Sequence, residues 1–328
     1  MHRMLQYRSN RGDMENMKRL RLLILSFWLP LLPPCLLAAQ TAKVLVSSPS
    51  RSLTWFPAHL AHEKGFYRAE ALDVDFIIMK PQVALQAVIA GDVGYTTALG
   101  STMRSAIRGL PLRVVMTIAE KPLFSLITRP EIHSVEDLKG KILGISSFGA
   151  STDTLARAVL RRHKLNPNQD VKILALGGGT NRIAAMQSGA IDAALIEAPY
   201  NFLLEREGFR KLLFVGDLIP SPLAGFGTTV ERTRKQPEEI QKLVRATLRG
   251  LQFTKGNRQE SIHSIMKWAD MDQPLAEESY DMAVSSWSNN GAATPQSVQI
   301  AMEEIKTEQK LDATPDPAKA FDWSFVRK

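Results

Sequence analysis

Three short stretches carry residue types suited to holding a small polar ligand. In Ser147-Phe-Gly-Ala-Ser-Thr-Asp153, a Ser-Thr-Asp run stands where a helical pattern begins. Ser151 reads as the N-cap, since a serine hydroxyl accepts from free first-turn amides. Those amides and the helix dipole attract anions, so Ser151 and Thr152 mark an anion site, with Ser147 and Phe148 just before them. In Gly177-Gly-Gly-Thr180, Gly178 and Gly179 let backbone amides approach a ligand closely, and Thr180 adds a hydroxyl. Glu197 ends the apolar run 193–196, where an unpaired charge is costly. It either accepts from a ligand amine or hydroxyl or pairs with a nearby arginine, and Pro199 shares its loop.

Further candidates follow other apolar runs. Ser50, Arg51 and Trp55 follow the first, and Leu99, Gly100 and Ser101 follow a third. Trp55, Phe148 and Tyr200 offer stacking faces for an organic body. Arg51, Lys80 and Arg182 offer positive charge, although a solvated surface position is the commoner role for such side chains. Signals for catalysis are absent: there is no Gly-x-Ser-x-Gly elbow, no phosphate loop and no His-Glu-x-x-His. His59, His62 and Glu63 share a helical face and read either as metal ligands or as polar positions of a half-exposed helix. No cofactor is expected.

These loops must be positioned by regular elements, and the sequence repeats them. Lys43-Val-Leu-Val-Ser-Ser48 resembles Lys141-Ile-Leu-Gly-Ile-Ser146, and the pairs Leu45/Leu143, Ala87/Ala185 and Gly91/Gly189 keep the same offset. Each copy reads strand, helix, strand, helix, strand. Such alternation implies two α/β lobes with parallel sheets covered on both faces. Ligands of such sheets sit outside the carboxyl ends of the strands, which is where the candidate loops lie. After residue 237 the pattern is helical, with Ile240, Leu243, Val244, Thr247, Leu248 and Leu251 on one face. This tail is expected to pack on lobe one. The extended stretches 116–128 and 215–229 are the expected crossings between lobes, giving 40–122 plus 220–328 as lobe one and 123–219 as lobe two.

The 328 residues include 45% hydrophobic and 23% charged residues, enough apolar material for two soluble cores. Half of the net charge of +8 sits in the first 39 residues, where six basic side chains face only Asp13 and Glu15. No Lys/Arg run marks a nucleic-acid surface. Lys18, Arg19 and Arg21 precede an uncharged apolar run that ends at Ala38-Ala39, so residues 1–39 read as a secretory signal peptide. Pro30, Pro33 and Pro34 argue against a spanning helix. The single cysteine, Cys35, lies in this leader, so the exported chain has no thiol chemistry.

Five stretches carry a family resemblance: Pro57-Ala-His-Leu-Ala-His-Glu-Lys-Gly-Phe-Tyr67, Ala84-Leu-Gln-Ala-Val-Ile-Ala-Gly91, Asp137-Leu-Lys-Gly-Lys141, the Ser147–Asp153 run and Gln187-Ser-Gly-Ala-Ile-Asp-Ala-Ala194. Over residues 43–325 the chain resembles the nitrate/sulfonate/taurine class of periplasmic substrate-binding proteins of ABC importers, within the thiamine-pyrimidine-synthase-like superfamily. The resemblance implies a type II periplasmic-binding-protein fold. It also implies a monomer that closes around a small-molecule ligand and docks on an ABC permease. Gly94 departs from the Asp that many relatives carry. The alternatives are an enzyme of the thiamine-pyrimidine-precursor type, whose cysteine-rich motif is missing here, and a sensor that presents its ligand to a receptor. The ligand class expected from the hydroxyls, free amides and sparse charge is a small organic anion, a sulfonate or carboxylate.

Overall fold

A computed structural model of the protein describes residues 41–326. The expected signal peptide, with Cys35, lies outside the described residues. Strand β1 (Ala42–Ser48) lies between β2 (Leu72–Ile78) and β3 (Tyr95–Ala98), parallel to both. The second copy repeats this: β6 (Ile142–Ile145) lies between β7 (Lys172–Ala175) and β8 (Ala193–Glu197), again parallel. Helices Pro81–Ala90 and Gly179–Gln187 occupy equivalent places in the two units.

The sheets are mixed, where wholly parallel ones were expected. β4 (Leu112–Ala119) and β10 (Ala224–Thr229) complete the first in the order β2-β1-β3-β10-β4. β5 (Phe124–Thr128) and β9 (Arg210–Phe214) complete the second in the order β7-β6-β8-β5-β9. β10 is antiparallel to β3 and β4, and β5 to β8 and β9. The reason lies in the crossings. The chain passes from β4 to β5 and back from β9 to β10 beside the carboxyl ends of the parallel strands: Phe124 pairs with Glu197, and Ala224 with Ala98. A strand entering at that end must run away from it.

Each sheet has its own core. Val44, Val46, Phe56 and Leu60 pack with Ile240, Leu243, Val244 and Leu251 of helix Pro237–Gly256. Full burial of such a side chain contributes about 1.5–3 kcal/mol, so the helical tail stabilises lobe one directly. Helix Pro295–Gln309 presents Val298, Ala301, Met302 and Ile305 to Leu99, Met103, Leu112 and Val114. Leu126, Leu143, Ile145, Leu155 and Val159 build the second core. Among the described residues no helix is long and apolar enough to cross a membrane.

The His59 face is part of the packing. Its ring stacks on Trp268 at 5.2 Å and tilts against Phe56 at 6.0 Å, with Glu63 3.8 Å away. Among the described residues no cluster of three His, Cys, Asp or Glu side chains could hold a metal ion. Burial lowers the His59 pKa from 6.5 to about 4, against the opposing pull of Glu63. The folded state therefore resists a proton that the unfolded chain accepts near pH 6.5. Stability from this residue is complete above pH 6.5 and declines as pH falls toward 4. Between pH 7.5 and 4.5 the loss should reach about 2–3 kcal/mol. Urea unfolding at both pH values should show a gap of that size that shrinks in His59→Gln.

Candidate functional site

A cleft of about 640 Å³, open mouth included, lies at the carboxyl ends of the two sheets. Loops of both lobes contribute to it, including residues at 49–55, 81, 98–101, 146–152, 178 and 197. The lobe-one wall is held rigidly. Trp55 Nε1 donates to the Ser50 carbonyl at 2.9 Å, and Ser48 Oγ donates to the same carbonyl at 3.0 Å. Ser52 Oγ accepts from the Thr54 amide at 3.4 Å and its hydroxyl at 3.1 Å. Trp55 stacks on Phe76 with centroids 5.0 Å apart and meets Trp268 edge-on at 5.4 Å. Its ring is a fixed aromatic wall. The lining hydroxyls of Thr97, Ser101 and Ser151 make no hydrogen bond among the described residues.

Helix Ser151–Arg162 begins at the opposite wall. Its N-cap is Ala150, in an extended conformation with no side-chain cap, so Ser151 is the first helical residue and does not cap. The reason is upstream: Ala150 closes a turn through its amide to Ser147 O, and its carbonyl accepts from Asp153 and Thr154. The Thr152 hydroxyl turns back to the Ser146 amide at 2.9 Å and Ser146 Oγ at 2.7 Å. Asp153 is engaged by Gly149 N at 2.9 Å and Arg157 Nε at 2.6 Å. The Ser151 and Thr152 amides have no acceptor among the described residues. A helix start with free amides, a free Ser151 hydroxyl and a neutralised aspartate is a good anion receptor.

The two charged residues of the lining answer each other. Arg182 Nη2 donates to Glu197 Oε2 at 2.7 Å, with the side chains 2% and 3% exposed. Arg182 Nη1 also donates to the Leu195 carbonyl, while its Nε has no partner. Gly179 makes the approach possible, because a Cβ there would stand 2.6 Å from Glu197 Oε1. Glu197 Oε1 makes no hydrogen bond among the described residues and remains an acceptor. Near this pair, burial raises the Tyr200 pKa, Glu197 adds to the rise and Arg51 opposes it.

Ser50, Trp55, Ser101, Ser151, Thr152, Gly178, Arg182 and Glu197 line the cleft; the other expected residues do not. Leu99 is buried in the lobe-one core, because the first turn of its helix faces inward. Gly100 backs onto a second, smaller interlobe cavity and abuts the Ser151 hydroxyl. Ser147 sits at the rim, 3.3 Å from Gln82 Nε2. Phe148 is 55% exposed and Arg51 is exposed. Gly179 backs Glu197, Thr180 is exposed, and Pro199 is buried behind a cis peptide bond. Lys80 is exposed, whereas Arg182 is buried and paired. The lining also includes Thr97, Ala98, Phe124, Leu223 and Ala224. Phe124, Leu223 and Ala224 come from the crossings, and their signal was topological: both crossings run along the carboxyl ends.

Two α/β lobes, two crossings and an interlobe cleft define a periplasmic-binding-protein fold of type II, with the helical C-terminal segment on lobe one. A Candida albicans gene product described as having the generic periplasmic binding protein fold superposes with a TM-score of 0.70 at 15% identity, over 86% of this chain and 96% of that one. The alkanesulfonate-binding protein SsuA of Xanthomonas axonopodis pv. citri gives a TM-score of 0.72 at 19% identity, over 88% of this chain and all (100%) of that one. The riboflavin-binding protein RibY of Chloroflexus aurantiacus is 26% identical over 221 residues, 64% of this chain; the match spans 61% of RibY's length. The NMT1/THI5-like family matches residues 54–261, and the chain belongs to that family.

Proposed function

We propose that the protein is an exported solute-binding protein of an ABC importer, which captures a small organic anion between its lobes and delivers it, as a monomer, to a membrane permease. The observation that carries this reading is the helix start at Ser151. Two free amides and a free hydroxyl face an aromatic wall at Trp55 across a cleft built from both lobes. Such a site holds a sulfonate or carboxylate head without a lysine, and the apolar wall suits an organic body. The alkanesulfonate-binding relative, described bound to MOPS, supports that ligand class. Among the described residues the titratable groups of the lining, Arg182 and Glu197, form an ion pair, which favours capture over turnover. The leader over residues 1–39 supports an extracytoplasmic location.

One observation favours a second reading. Arg182 and Glu197 cancel each other, and Glu197 Oε1 stays free as an acceptor. An uncharged heterocycle bearing N–H donors suits that lining, as the riboflavin-binding relative illustrates. A thermal-shift screen of sulfonates, carboxylates, amines, flavins, nucleobases and inorganic anions separates the two. Sulfonates or carboxylates should raise the melting temperature by mass action, and scattering should show compaction with the same compound. Shifts confined to flavins, amines or nucleobases would move the anchor to Glu197. Iron or pyridoxal phosphate copurifying with the protein would favour the enzyme alternative.

A further inference from the structure

A row of polar contacts joins the lobes outside the cleft and leads to it. At the mouth, Gln82 Nε2 donates to the Phe148 carbonyl at 3.0 Å. Arg104 Nη2 then donates to the Gly149 carbonyl at 3.0 Å. Thr154 Oγ1 donates to Glu308 Oε2 at 3.0 Å, and Arg161 Nη2 to Glu304 Oε2 at 2.8 Å. Arg162 approaches the Glu304 carboxylate at 3.5 Å, and within lobe one Arg104 approaches Glu308 at 3.8 Å and steadies it. Every lobe-two partner belongs to helix Ser151–Arg162 or the loop before it. Both carboxylates belong to helix Pro295–Gln309 of lobe one.

Thr154, Ala158 and Arg161 are spaced to share one face of their helix. Ala158 lines the small cavity behind Ser151 together with Ala301 and Glu304. The face opposite helix Pro295–Gln309 thus belongs to the same helix that turns its free N-terminal amides toward the cleft. Any force holding this face to lobe one also holds those amides in place.

We infer that Glu304 and Glu308 are positioning residues for ligand capture. They clamp helix Ser151–Arg162 to lobe one and so set the fraction of protein that is closed before ligand arrives. The ligand readout of this inference rests on the proposed function; the closure readout does not. Solvent-exposed ion pairs contribute little, and Arg206 with Glu278, 43% and 53% exposed, is such a pair across the lobes. The clamp carboxylates are better shielded, Glu304 at 18% and Glu308 at 20% exposed, and they face Arg161 at 33% and Arg162 at 40%. Lobe equilibria are finely balanced, so a tenfold change in the closed fraction needs only about 1.4 kcal/mol. Because apparent affinity scales with the competent fraction, the clamp acts on affinity without touching ligand. The hinge side differs in kind: Phe202 and Phe214 of lobe two pack there against an apolar core.

The test is the double variant Glu304→Gln, Glu308→Gln, which removes charge and keeps shape. Small-angle scattering without ligand, at low and high sodium chloride, reads closure directly. The wild type should expand as salt rises, while the variant should be expanded at both and unresponsive. Its Kd for methanesulfonate should weaken by about tenfold. Glu304→Arg combined with Arg161→Glu and Arg162→Glu should restore compaction, which a merely structural role would not predict. A variant as compact as wild type at both salt concentrations would overturn the inference. Should the variants fold poorly, the wild-type salt series decides it: unchanged dimensions overturn the clamp. A salt-dependent expansion without methanesulfonate binding would leave the clamp standing and count against the ligand class alone.

Discussion

Replacing Glu197 with alanine is expected to lower unfolding stability by about 3–5 kcal/mol, the usual result of leaving a buried charge without its partner. Arg182 is 2% exposed, and Glu197 is its only carboxylate partner within ion-pair distance among the described residues. The variant strands a guanidinium whose Nε is already unsatisfied. The melting temperature should fall by on the order of 10 °C. Glu197→Gln keeps the hydrogen-bonding shape and should lose less. The double variant Arg182→Met, Glu197→Leu should recover most of the stability, because replacing both members of a buried pair with apolar groups is often neutral or stabilising. That variant separates roles: near-normal stability with lost ligand response would show that the pair also serves the cleft. Equal melting temperatures for wild type and Glu197→Ala would mean the pair is not closed in solution.

Gly225→Ala should be comparably severe. Gly225 lies in β10, which runs between β3 and β4 as the returning strand of the second crossing. A Cβ there would stand 2.0 Å from the Met116 carbonyl oxygen and 2.8 Å from Thr117 Cα. Both are backbone atoms of the neighbouring strand, so no rotamer change relieves the clash. Overpacking in a core costs about 1–3 kcal/mol and occasionally more; a strand held on both sides belongs at the upper end. Gly256→Ala is the control, because nothing stands within 4 Å of its Cβ position. It should change stability by no more than about 1 kcal/mol, in the stabilising direction. Thermal unfolding of the pair of variants checks both expectations.

The fold was legible because its signal is repeated. Leu45/Leu143 and Gly91/Gly189 mark equivalent points of two units that each close around their own apolar strands. The helical face from Ile240 to Leu251 read correctly because a 3.6-residue period survives in any context. The antiparallel β5 and β10 did not announce themselves, since strand direction follows from where a crossing enters a sheet and no local pattern encodes it. The site divides similarly. Trp55, Ser151 and Glu197 stood out by type and position at strand ends. Ser151 as a cap failed because Ala150 closes a turn on Ser147 and takes the N-cap place itself, a one-residue difference that spacing does not decide. Arg182 read as an anion-binding or a solvated arginine, and its buried pairing was not legible because its partner lies on the next strand. Glu304 and Glu308 carried no signal of their own in the sequence, since the lobe they face is distant along the chain.

The most direct test of the central claim is a crystal structure of the protein with the strongest compound from the thermal-shift screen. The ligand should lie between Trp55 and the helix start at Ser151, its acceptor group on the Ser151 and Thr152 amides, touched by residues of both lobes. A ligand found in the groove beside Trp323 and Pro317 on lobe one, or held by one lobe alone, would contradict capture between the lobes.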